Sequence, residues 1–368
     1  MVVDQAPAIE HQQHAKVAGD DCQHPNERKR QTEHPRLDAI AQPRVDRPHE
    51  RGSAQREIQQ REASGPARFG GLWREAPYRW LAPMSIARMI CTVTAPRTFS
   101  PGQAARRVIG LDTDVALREW TVWIPDLEPK HDGVRLGHLS DVHVGAVTPD
   151  RRIRNAVEIL ANAQPDLFLL TGDFASRRPS PLARLGRLLD GLPPQSTFFV
   201  LGNHDHLVDA VAVTRALEGV GYMHLDNRHH TVELRGAPLH LIGLDDPVTS
   251  RHRPAQALSG LPSEGTRVLL AHQAESVGEV LELGQHVDLC VSGHTHGGQI
   301  YVPRLTHKLM AKHGIRHVRG LQRYEDEGPW LHVTHGVGSA VTPLRVAARP
   351  EVALLTLRRD RSGVRFRG

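Results

Sequence analysis

Five short apolar runs, each ending in a side chain of a metal-ligating type, constrain the fold of this 368-residue chain more than any other feature. The first run, residues 134–140, has the period-2 alternation of a strand and delivers Asp141 and His143. The four later runs end at Asp173, at Asn203, at His272, and at His294 with His296. Ligands collect at the carboxyl ends of the strands in an open α/β sheet. We therefore expect these side chains to meet at one edge of a sheet.

Strand and helix patterns alternate along residues 119–360, which we expect to form the folded domain. Thr148, Pro149 and Asp150 carry the signals of a helix start, and an apolar stripe continues from there to residue 163. Further helices are expected from residue 180, at 208–218 and at 276–283, and later strands at 231–234, 239–244, 330–334 and 351–357. This order predicts an α/β fold in which mixed sheets form a sandwich flanked by helices.

Residues 1–83 differ in composition from the rest of the chain. They are rich in Gln, His, Arg, Glu and Pro and lack apolar periodicity, so they cannot bury enough surface to offset their ordering entropy. We expect a disordered extension, or a segment that is not native if translation begins at Met84 or Met89. Residues 84–118 are expected to be a linker or a partly ordered lead-in.

Composition argues against two classes of partner. The formal charge of +5 is a small surplus of 46 basic over 41 acidic residues, and aromatic residues make up 4%, so no strong nucleic-acid signal is present. The most apolar stretch near the front, residues 80–96, is interrupted by Arg88 and falls short of the roughly 20 apolar residues of a transmembrane anchor. Three scattered cysteines indicate neither disulfides nor a zinc site, and Cys290 is expected to be a buried thiol. These features favour a cytoplasmic protein.

The seven strand-end donors are nitrogen and oxygen atoms with no thiolate among them, a set that suits manganese, iron or zinc. Seven donors exceed one tetrahedral site but suit two adjacent divalent ions that share a carboxylate. Two ions roughly 3.5–4 Å apart can clamp a phosphoryl group and activate the attacking water. Taken singly, Asp173 is also typical of a helix cap and Asn203 of a left-handed turn. Five strand ends of the same kind favour the metal hypothesis.

Two further groups follow apolar runs. Gly297, Gly298 and Gln299 either line the substrate phosphate, since glycine lets backbone N–H groups approach an anion, or form a tight turn that leaves the sheet. Asp245 and Asp246 resemble a third metal site, but we expect this pair to be solvated.

The site residues fall into five blocks, which read Asp141-x-His143, Gly172-Asp173, Gly202-Asn203-His204-Asp205, His272 and Gly293-His294-x-His296. In order and content they resemble the five blocks of the calcineurin-like metallophosphoesterase superfamily, and the resemblance covers about residues 133–357. The run from His294 to Gln299, together with Pro350 and Glu351, resembles more narrowly the bacterial YkuE/YaeI-like phosphodiesterase branch.

The resemblance implies roles for individual residues. Asp141, His143, Asp173 and His296 would hold the first ion, and Asp173 would bridge to a second ion completed by Asn203, His272 and His294. His204 would protonate the leaving oxygen or stabilise the phosphoryl oxygens, and Asp205 would orient its ring. The implied enzyme is a metal-dependent phosphoric ester hydrolase, most simply a phosphodiesterase. A hydroxide bridging two divalent ions would attack the phosphorus of a small phosphoester substrate.

Three alternatives stay open at this point. The first is a lipid-linked pyrophosphatase of the UDP-diacylglucosamine type in envelope lipid synthesis. The second is a nuclease, and the third is a catalytically silent scaffold that keeps the fold for protein binding. Members of the branch usually begin with a membrane-anchoring helix, which we do not find in this sequence. Peripheral association with the inner membrane remains compatible with it.

Overall fold

Two six-stranded sheets pack face to face in the computed structural model, which describes residues 114–176, 182–339 and 342–360. The strands are β1 (Ala116–Ile124), β2 (Arg135–Leu139), β3 (Leu167–Thr171), β4 (Thr197–Val200), β5 (Met223–His224), β6 (Arg228–Leu234), β7 (Ala237–Leu244), β8 (Thr266–Ala271), β9 (Leu289–Ser292), β10 (Gly320–Arg323), β11 (Trp330–Val333) and β12 (Glu351–Arg359). The α-helices are α1 (Asp150–Asn162), α2 (Leu185–Leu189), α3 (Asn203–Val208), α4 (Ala210–Glu218), α5 (Pro254–Leu258), α6 (Ser276–Glu282) and α7 (Leu305–Ala311).

Both sheets are mixed, as the sequence predicts. The first has the order β1-β12-β2-β3-β4-β5, in which β2 to β5 run parallel and β12 is antiparallel to β2. The second has the order β10-β11-β9-β8-β7-β6, in which β11, β9, β8 and β7 run parallel. A hydrogen bond from His272 Nδ1, after β8, to the carbonyl oxygen of Thr171, at the end of β3, joins the carboxyl ends of the two sheets.

The short apolar runs form strands that are buried on both faces. In β3, Leu167 and Leu169 face the other sheet, while Phe168 and Leu170 face the helices. In β8, Val268 faces the other sheet and the next side chain points the opposite way. Strands buried on both faces need apolar residues at every position, which explains why these runs do not alternate with polar side chains.

Helices cover the outer face of each sheet. Ile153, Val157 and Leu160 of α1 join α2 and α4 in a core against the first sheet. Val277 and Val280 of α6 pack with α5 against the second sheet. Truncating one such buried leucine or isoleucine to alanine typically costs about 2–5 kcal/mol of folding stability. The predicted order of helix, sheet, sheet and helix layers is therefore confirmed.

Several elements differ from the sequence prediction. A separate helix, α3, begins at Asn203, and α4 begins at Ala210, where the sequence predicts one helix from residue 208. The helices α5 and α7 and the strands β5 and β10 were not predicted, and β1 begins at Ala116, within the stretch expected to be a linker or a lead-in. Cys290 is buried with a free thiol, as expected.

The predictions for residues 1–83 and for most of residues 84–118 lie outside the described residues, as does the predicted helix start at residue 180. Among the described residues, no helix has the length and the apolar character needed to cross a bilayer.

Candidate metal centre

The predicted strand-end residues lie together at the carboxyl edges of the two sheets. Asp141, His143, Asp173, His272 and His296 are buried, and Asn203 and His294 are partly exposed. Among them, Asp141, His143, Asp173, His294 and His296 have positive φ angles between 48° and 69°. Residues other than glycine adopt this left-handed conformation rarely and at an energetic cost, and such residues cluster at functional sites. The fold holds these side chains in place despite the backbone strain.

One group of donor atoms surrounds His143. Its Nε2 lies 3.1 Å from His296 Nε2 and 3.5 Å from Asp173 Oδ2. Asp141 Oδ1 lies 3.4 Å from His296 Nε2 and 4.0 Å from His143 Nε2. These four side chains come from the ends of β2 and β3 and from the turn after β9, so all four donor atoms point at one small volume.

A second group surrounds His272. Its Nε2 lies 3.3 Å from Asp173 Oδ2 and 3.3 Å from His294 Nδ1. Asn203 Oδ1 lies 3.1 Å from the same His294 nitrogen. Asp173 Oδ2 therefore belongs to both groups, while Asp173 Oδ1 accepts a hydrogen bond of 2.9 Å from the N–H of His204.

The centre separates charged from neutral groups. Burial lowers the pKa of His143 to about 3 and that of His294 to about 4, and it holds the pKa of His296 well below its usual value. These imidazoles are neutral at pH 7, which leaves a ring nitrogen lone pair for a ligand. Burial also raises the pKa of Asp141 to about 6.

His272 and Asp173 form the charged pair of the centre. Burial alone would disfavour both charges, but their mutual attraction outweighs it. The pKa of His272 rises to about 10, and the pKa of Asp173 lies well below its usual range. The proton on His272 Nε2 supplies positive charge between Asp173 and His294. A divalent ion bound there would replace this proton and supply more positive charge.

Carbonyl groups and one arginine orient the rings. His272 Nδ1 donates to the carbonyl oxygen of Thr171 at 2.7 Å, so its Nε2 faces the centre. Arg345, which is buried, donates from Nη2 to His296 Nδ1 at 3.1 Å and to the carbonyl oxygen of His335 at 3.0 Å. Since a guanidinium only donates, the ring proton of neutral His296 lies on Nε2 in this arrangement. Binding of an ion at Nε2 would require this proton to move to Nδ1, and Arg345 would then keep only its contacts to carbonyl oxygens. Sequence reasoning missed Thr171 and Arg345, because no local pattern signals either contact.

The donor set fits divalent cations. His143 Nδ1 is buried without a hydrogen-bond partner among the described residues. Oxygen and nitrogen donors without thiolate suit manganese, iron and zinc. A shared carboxylate oxygen between two groups suits a pair of ions rather than one.

Two glycines allow the strand ends to approach each other. Gly172 has a φ of +87°, and a Cβ atom there would lie 2.5 Å from the backbone nitrogen of Gly202. A Cβ atom on Gly293 would collide with Asp141 Oδ2. Close packing of the strand ends therefore explains why glycine precedes Asp173 and His294.

His204 lies at the rim of the centre. Its ring meets that of His143 edge to face, with centroids 5.0 Å apart, and its Nδ1 donates to the carbonyl oxygen of Ser176 at 2.8 Å. Nε2 is therefore the atom left for chemistry.

Asp205 does not orient the ring of His204, which corrects that part of the sequence prediction. Its carboxylate accepts hydrogen bonds from the N–H groups of Ala175 at 2.9 Å and Gly202 at 3.0 Å. It therefore ties the loop after β3 to the start of α3. Burial raises the pKa of Asp205 to about 7, assisted by repulsion from Asp173.

The hydrogen-bond donors of the turn after His296 are already paired. The N–H of Gly297 bonds Thr295 Oγ1, and those of Gly298 and Gln299 bond backbone carbonyl oxygens within the turn. The Gln299 side-chain amide donates to the carbonyl oxygens of Thr342 and Leu344. These donors are not free to bind an anion, which favours the tight-turn alternative over phosphate binding.

Comparisons with known proteins agree with this geometry. A family model described as calcineurin-like phosphoesterase matches residues 134–298. The uncharacterised metallophosphoesterase YkoQ of Bacillus subtilis is 30% identical over 251 residues, which cover 65% of this chain and 89% of YkoQ. The phosphodiesterase YaeI of Escherichia coli is 31% identical over 227 residues, covering 60% of this chain and 80% of YaeI.

A more distant relative has a lipid-related name. The UDP-2,3-diacylglucosamine pyrophosphatase LpxG of Chlamydia trachomatis is 24% identical over 279 residues, covering 61% of this chain and 83% of LpxG. The chain spans about half the length of two longer animal relatives, 54% and 52%.

Proposed function

The chain belongs to the calcineurin-like phosphoesterase family and is a metal-dependent phosphoester hydrolase, and from that premise we propose that it is a phosphodiesterase with two divalent ions. The observation that carries the proposal is the position of Asp173 Oδ2, 3.5 Å from His143 Nε2 and 3.3 Å from His272 Nε2. One carboxylate oxygen within reach of two separate donor groups suits a bridging ligand.

Each ion has its own set of side chains in this proposal. Asp141, His143 and His296 hold the first ion together with Asp173. Asn203, His272 and His294 complete the second site, with Asp173 as the shared ligand. The distances of 3.1–4.0 Å between donors in the two groups support this division.

Ions held by these residues would supply a nucleophile at neutral pH and would neutralise charge that develops on the phosphoryl group. The protein fixes where this happens. Asp141 Oδ1 accepts a hydrogen bond of 3.1 Å from the N–H of His294, which links the first block of the site to the last. The N–H of His204 holds Asp173 Oδ1, which leaves Oδ2 directed at the two donor groups.

His204 assists departure of the leaving oxygen in this proposal. Its Nδ1–H is committed to the carbonyl oxygen of Ser176, so Nε2 donates the proton when the ring is an imidazolium. Positioned acids of this kind contribute about 10²–10⁴-fold to the rate. Asp205 acts indirectly, because it fixes the loop and the helix start that carry His204.

A substrate panel tests the proposal. The full chain is reconstituted with manganese, iron or zinc and assayed on bis-p-nitrophenyl phosphate, p-nitrophenyl phosphate and supercoiled plasmid. We expect hydrolysis of the diester at a higher kcat/KM than the monoester, and no nicking. A protein that binds two ions and prefers the monoester would contradict the diesterase assignment, and plasmid nicking would revive the nuclease alternative.

A lipid-linked pyrophosphatase is the second candidate, and helix α7 favours it. Leu305 and Leu309 of α7 are each 50% exposed, and Arg304, Lys308 and Lys312 flank them. Thr306 of the same helix bonds the carbonyl oxygen of Ile300 and would touch a Cβ atom on Gly298, so α7 packs on the turn that follows His296. Exposed leucines among basic residues suit contact with an acyl chain or an anionic lipid surface. The name of LpxG supports the same direction.

A matched pair of variants decides between the two candidates. We expect the variant with Leu305→Ser and Leu309→Ser to lose turnover of UDP-2,3-diacylglucosamine in mixed micelles, with bis-p-nitrophenyl phosphate hydrolysis unchanged. Leu283→Ser, at a 48% exposed leucine after α6, serves as the control. Absence of any cleavage of the lipid pyrophosphate by the wild-type protein would eliminate this candidate.

A further inference from the structure

A second group of histidine and aspartate side chains lies one strand further out in each sheet. β5 is the neighbour of β4 in the first sheet, and β7 is the neighbour of β8 in the second. β5 ends at His224 and is followed by Asp226, Asp245 follows β7, and His206 comes from α3, the helix after β4. We call His206, His224, Asp226 and Asp245 the outer cluster. His224, Asp226 and Asp245 lie at strand ends, as the residues of the metal centre do, and His206 lies within α3.

The donor atoms of the outer cluster converge. One donor atom each of His206, Asp226 and Asp245 lies within 4.8 Å of the other two. His206 Nε2 lies 2.5 Å from Asp245 Oδ1. His224 Nε2 lies 2.9 Å from Asp226 Oδ2. Two metal bonds of about 2.0–2.2 Å span about 4.4 Å at most, so side-chain shifts of a few tenths of an ångström place all three donor atoms around one ion.

Two carboxylates are buried side by side in this cluster. The side chains of His206 and Asp226 are each 7% exposed, and that of Asp245 is 11% exposed. Among the described residues, no Lys or Arg side chain forms an ion pair with either aspartate. Asp226 Oδ1 is occupied by the N–H of Leu201 at 3.0 Å, which leaves Oδ2 facing the cluster. Buried charges normally need a partner of opposite sign.

Two ring nitrogens of the outer cluster lack hydrogen-bond partners among the described residues. His224 Nε2 is buried and close to Asp226 Oδ2, but the two atoms make no hydrogen bond. His206 Nδ1 is also buried without a hydrogen-bond partner among the described residues. Asp245 was expected from the sequence to be solvated together with Asp246, and the structure buries both.

We propose that the outer cluster binds a third divalent cation, with His206, Asp226 and Asp245 as ligands and His224 beside them. The ion neutralises the two buried carboxylates. It also ties α3 to the ends of β5 and β7, and α3 begins with Asn203 and His204 of the metal centre. A set of oxygen and nitrogen donors without thiolate suits manganese or zinc. The site is separate from the seven donors of the proposed function and does not depend on it.

The competing hypothesis is that the cluster consists only of two His–Asp pairs without an ion. Counting bound ions separates the two. The full chain, stripped of metal, is dialysed to equilibrium against MnCl₂, and bound manganese per chain is measured by mass spectrometry. We expect the double variant Asp226→Asn, Asp245→Asn to bind one ion fewer than the wild type. Equal counts would overturn the proposal in favour of the His–Asp pairs.

Two further variants make the result specific. His252 and Glu279 form a 2.7 Å pair on the surface, so the variant His252→Gln, Glu279→Gln removes a similar pair and should leave the count unchanged. Ions retained at the metal centre show that the Asp226, Asp245 variant is folded. If this variant loses all metal, His206→Gln replaces it, and an unchanged count in that variant overturns the proposal.

The experiment measures a difference of one bound ion per chain, so its result does not depend on the proposed function. Asp173→Ala should lose ions from the centre and keep the one in the outer cluster. If the wild type and Asp173→Ala bind the same number of ions, the bridging role of Asp173 fails, and the count in the outer-cluster variant still decides the third site.

Discussion

His143 Nε2 lies 3.1 Å from His296 Nε2, although 153 residues separate the two histidines in the chain. The first follows β2 of one sheet and the second follows β9 of the other. Burial lowers the pKa of both rings, so neither carries a proton charge at pH 7 that would drive them apart. Two neutral imidazoles in this arrangement, next to Asp141 and Asp173, suit binding of the same cation.

Asp173→Ala tests the shared carboxylate. We expect the variant to lose metal from the centre and to lose activity on bis-p-nitrophenyl phosphate, because both donor groups use Asp173 Oδ2. Metal content and turnover are measured on the same preparation. Asp166→Ala is the matched control, since Asp166 lies before the start of β3 and pairs with Arg235 on the surface. Normal metal content and normal activity in Asp173→Ala would rule out the bridging role.

His204→Ala tests the acid. We expect metal content to stay constant. For a diester with an alkoxide leaving group, kcat should fall by about 10²–10⁴-fold, the usual contribution of a positioned proton donor. The loss should be largest for a poor leaving group, such as an alkoxide, and smallest for p-nitrophenolate, which departs without a proton. A loss that is the same for both leaving groups would indicate that His204 acts by another route.

Arg345→Lys tests the orientation of His296. The guanidinium of Arg345 reaches His296 Nδ1 and two carbonyl oxygens, those of His335 and Ala348, at 2.9–3.1 Å. Lysine cannot make the two carbonyl contacts together, so the loop beside His296 is held less firmly, and we expect affinity for manganese to fall by about 10–100-fold, as for other residues that support a metal ligand. Competition with a chelator measures it. Arg323→Lys, at an arginine stacked on Trp330, should leave the affinity unchanged.

The buried pair of His138 and His332 predicts sensitivity to acid. Their Nδ1 atoms lie 2.9 Å apart between the sheets, and burial lowers the pKa of His332 to about 3 and that of His138 well below its usual value. The unfolded chain titrates these rings near pH 6.5, so below that pH the unfolded state binds more protons than the folded state. The free energy of unfolding therefore falls as the pH falls from about 6.5 towards 3, by about 1.4 kcal/mol per pH unit for each histidine.

Urea unfolding with EDTA at several pH values checks this dependence. The free energy of unfolding of His332→Gln should change less steeply with pH than that of the wild type. The difference in slope should be the contribution of one histidine, about 1.4 kcal/mol per pH unit. His313→Gln, at an exposed histidine, should have the wild-type dependence. Equal slopes for wild type and His332→Gln would show that the buried pair does not control acid stability.

Much of the fold and the positions of the candidate ligands follow from the sequence, because each apolar run is short, fully buried and ends at a donor. Helix α3 was missed although Asp205 accepts the N–H of Gly202, three residues earlier, which is a helix-start signal. Helix α7 was missed although Leu305 and Leu309 have helical spacing.

Other contacts could not be predicted from one sequence. Arg345 reaches His296 from 49 residues away, and His138 meets His332 across 194 residues. Such contacts depend on how the two sheets pack, and no local pattern encodes them. The outer cluster was overlooked for the same reason, since β5 has only two residues and gives no apolar run that would mark its end.

Anomalous diffraction from crystals of the full chain grown with manganese tests the central claim most directly. We expect two peaks roughly 3.5–4 Å apart, on either side of Asp173 Oδ2, with His143 beside one and His272 beside the other. A single peak at this centre, or two peaks that do not share Asp173, would contradict the shared-carboxylate centre.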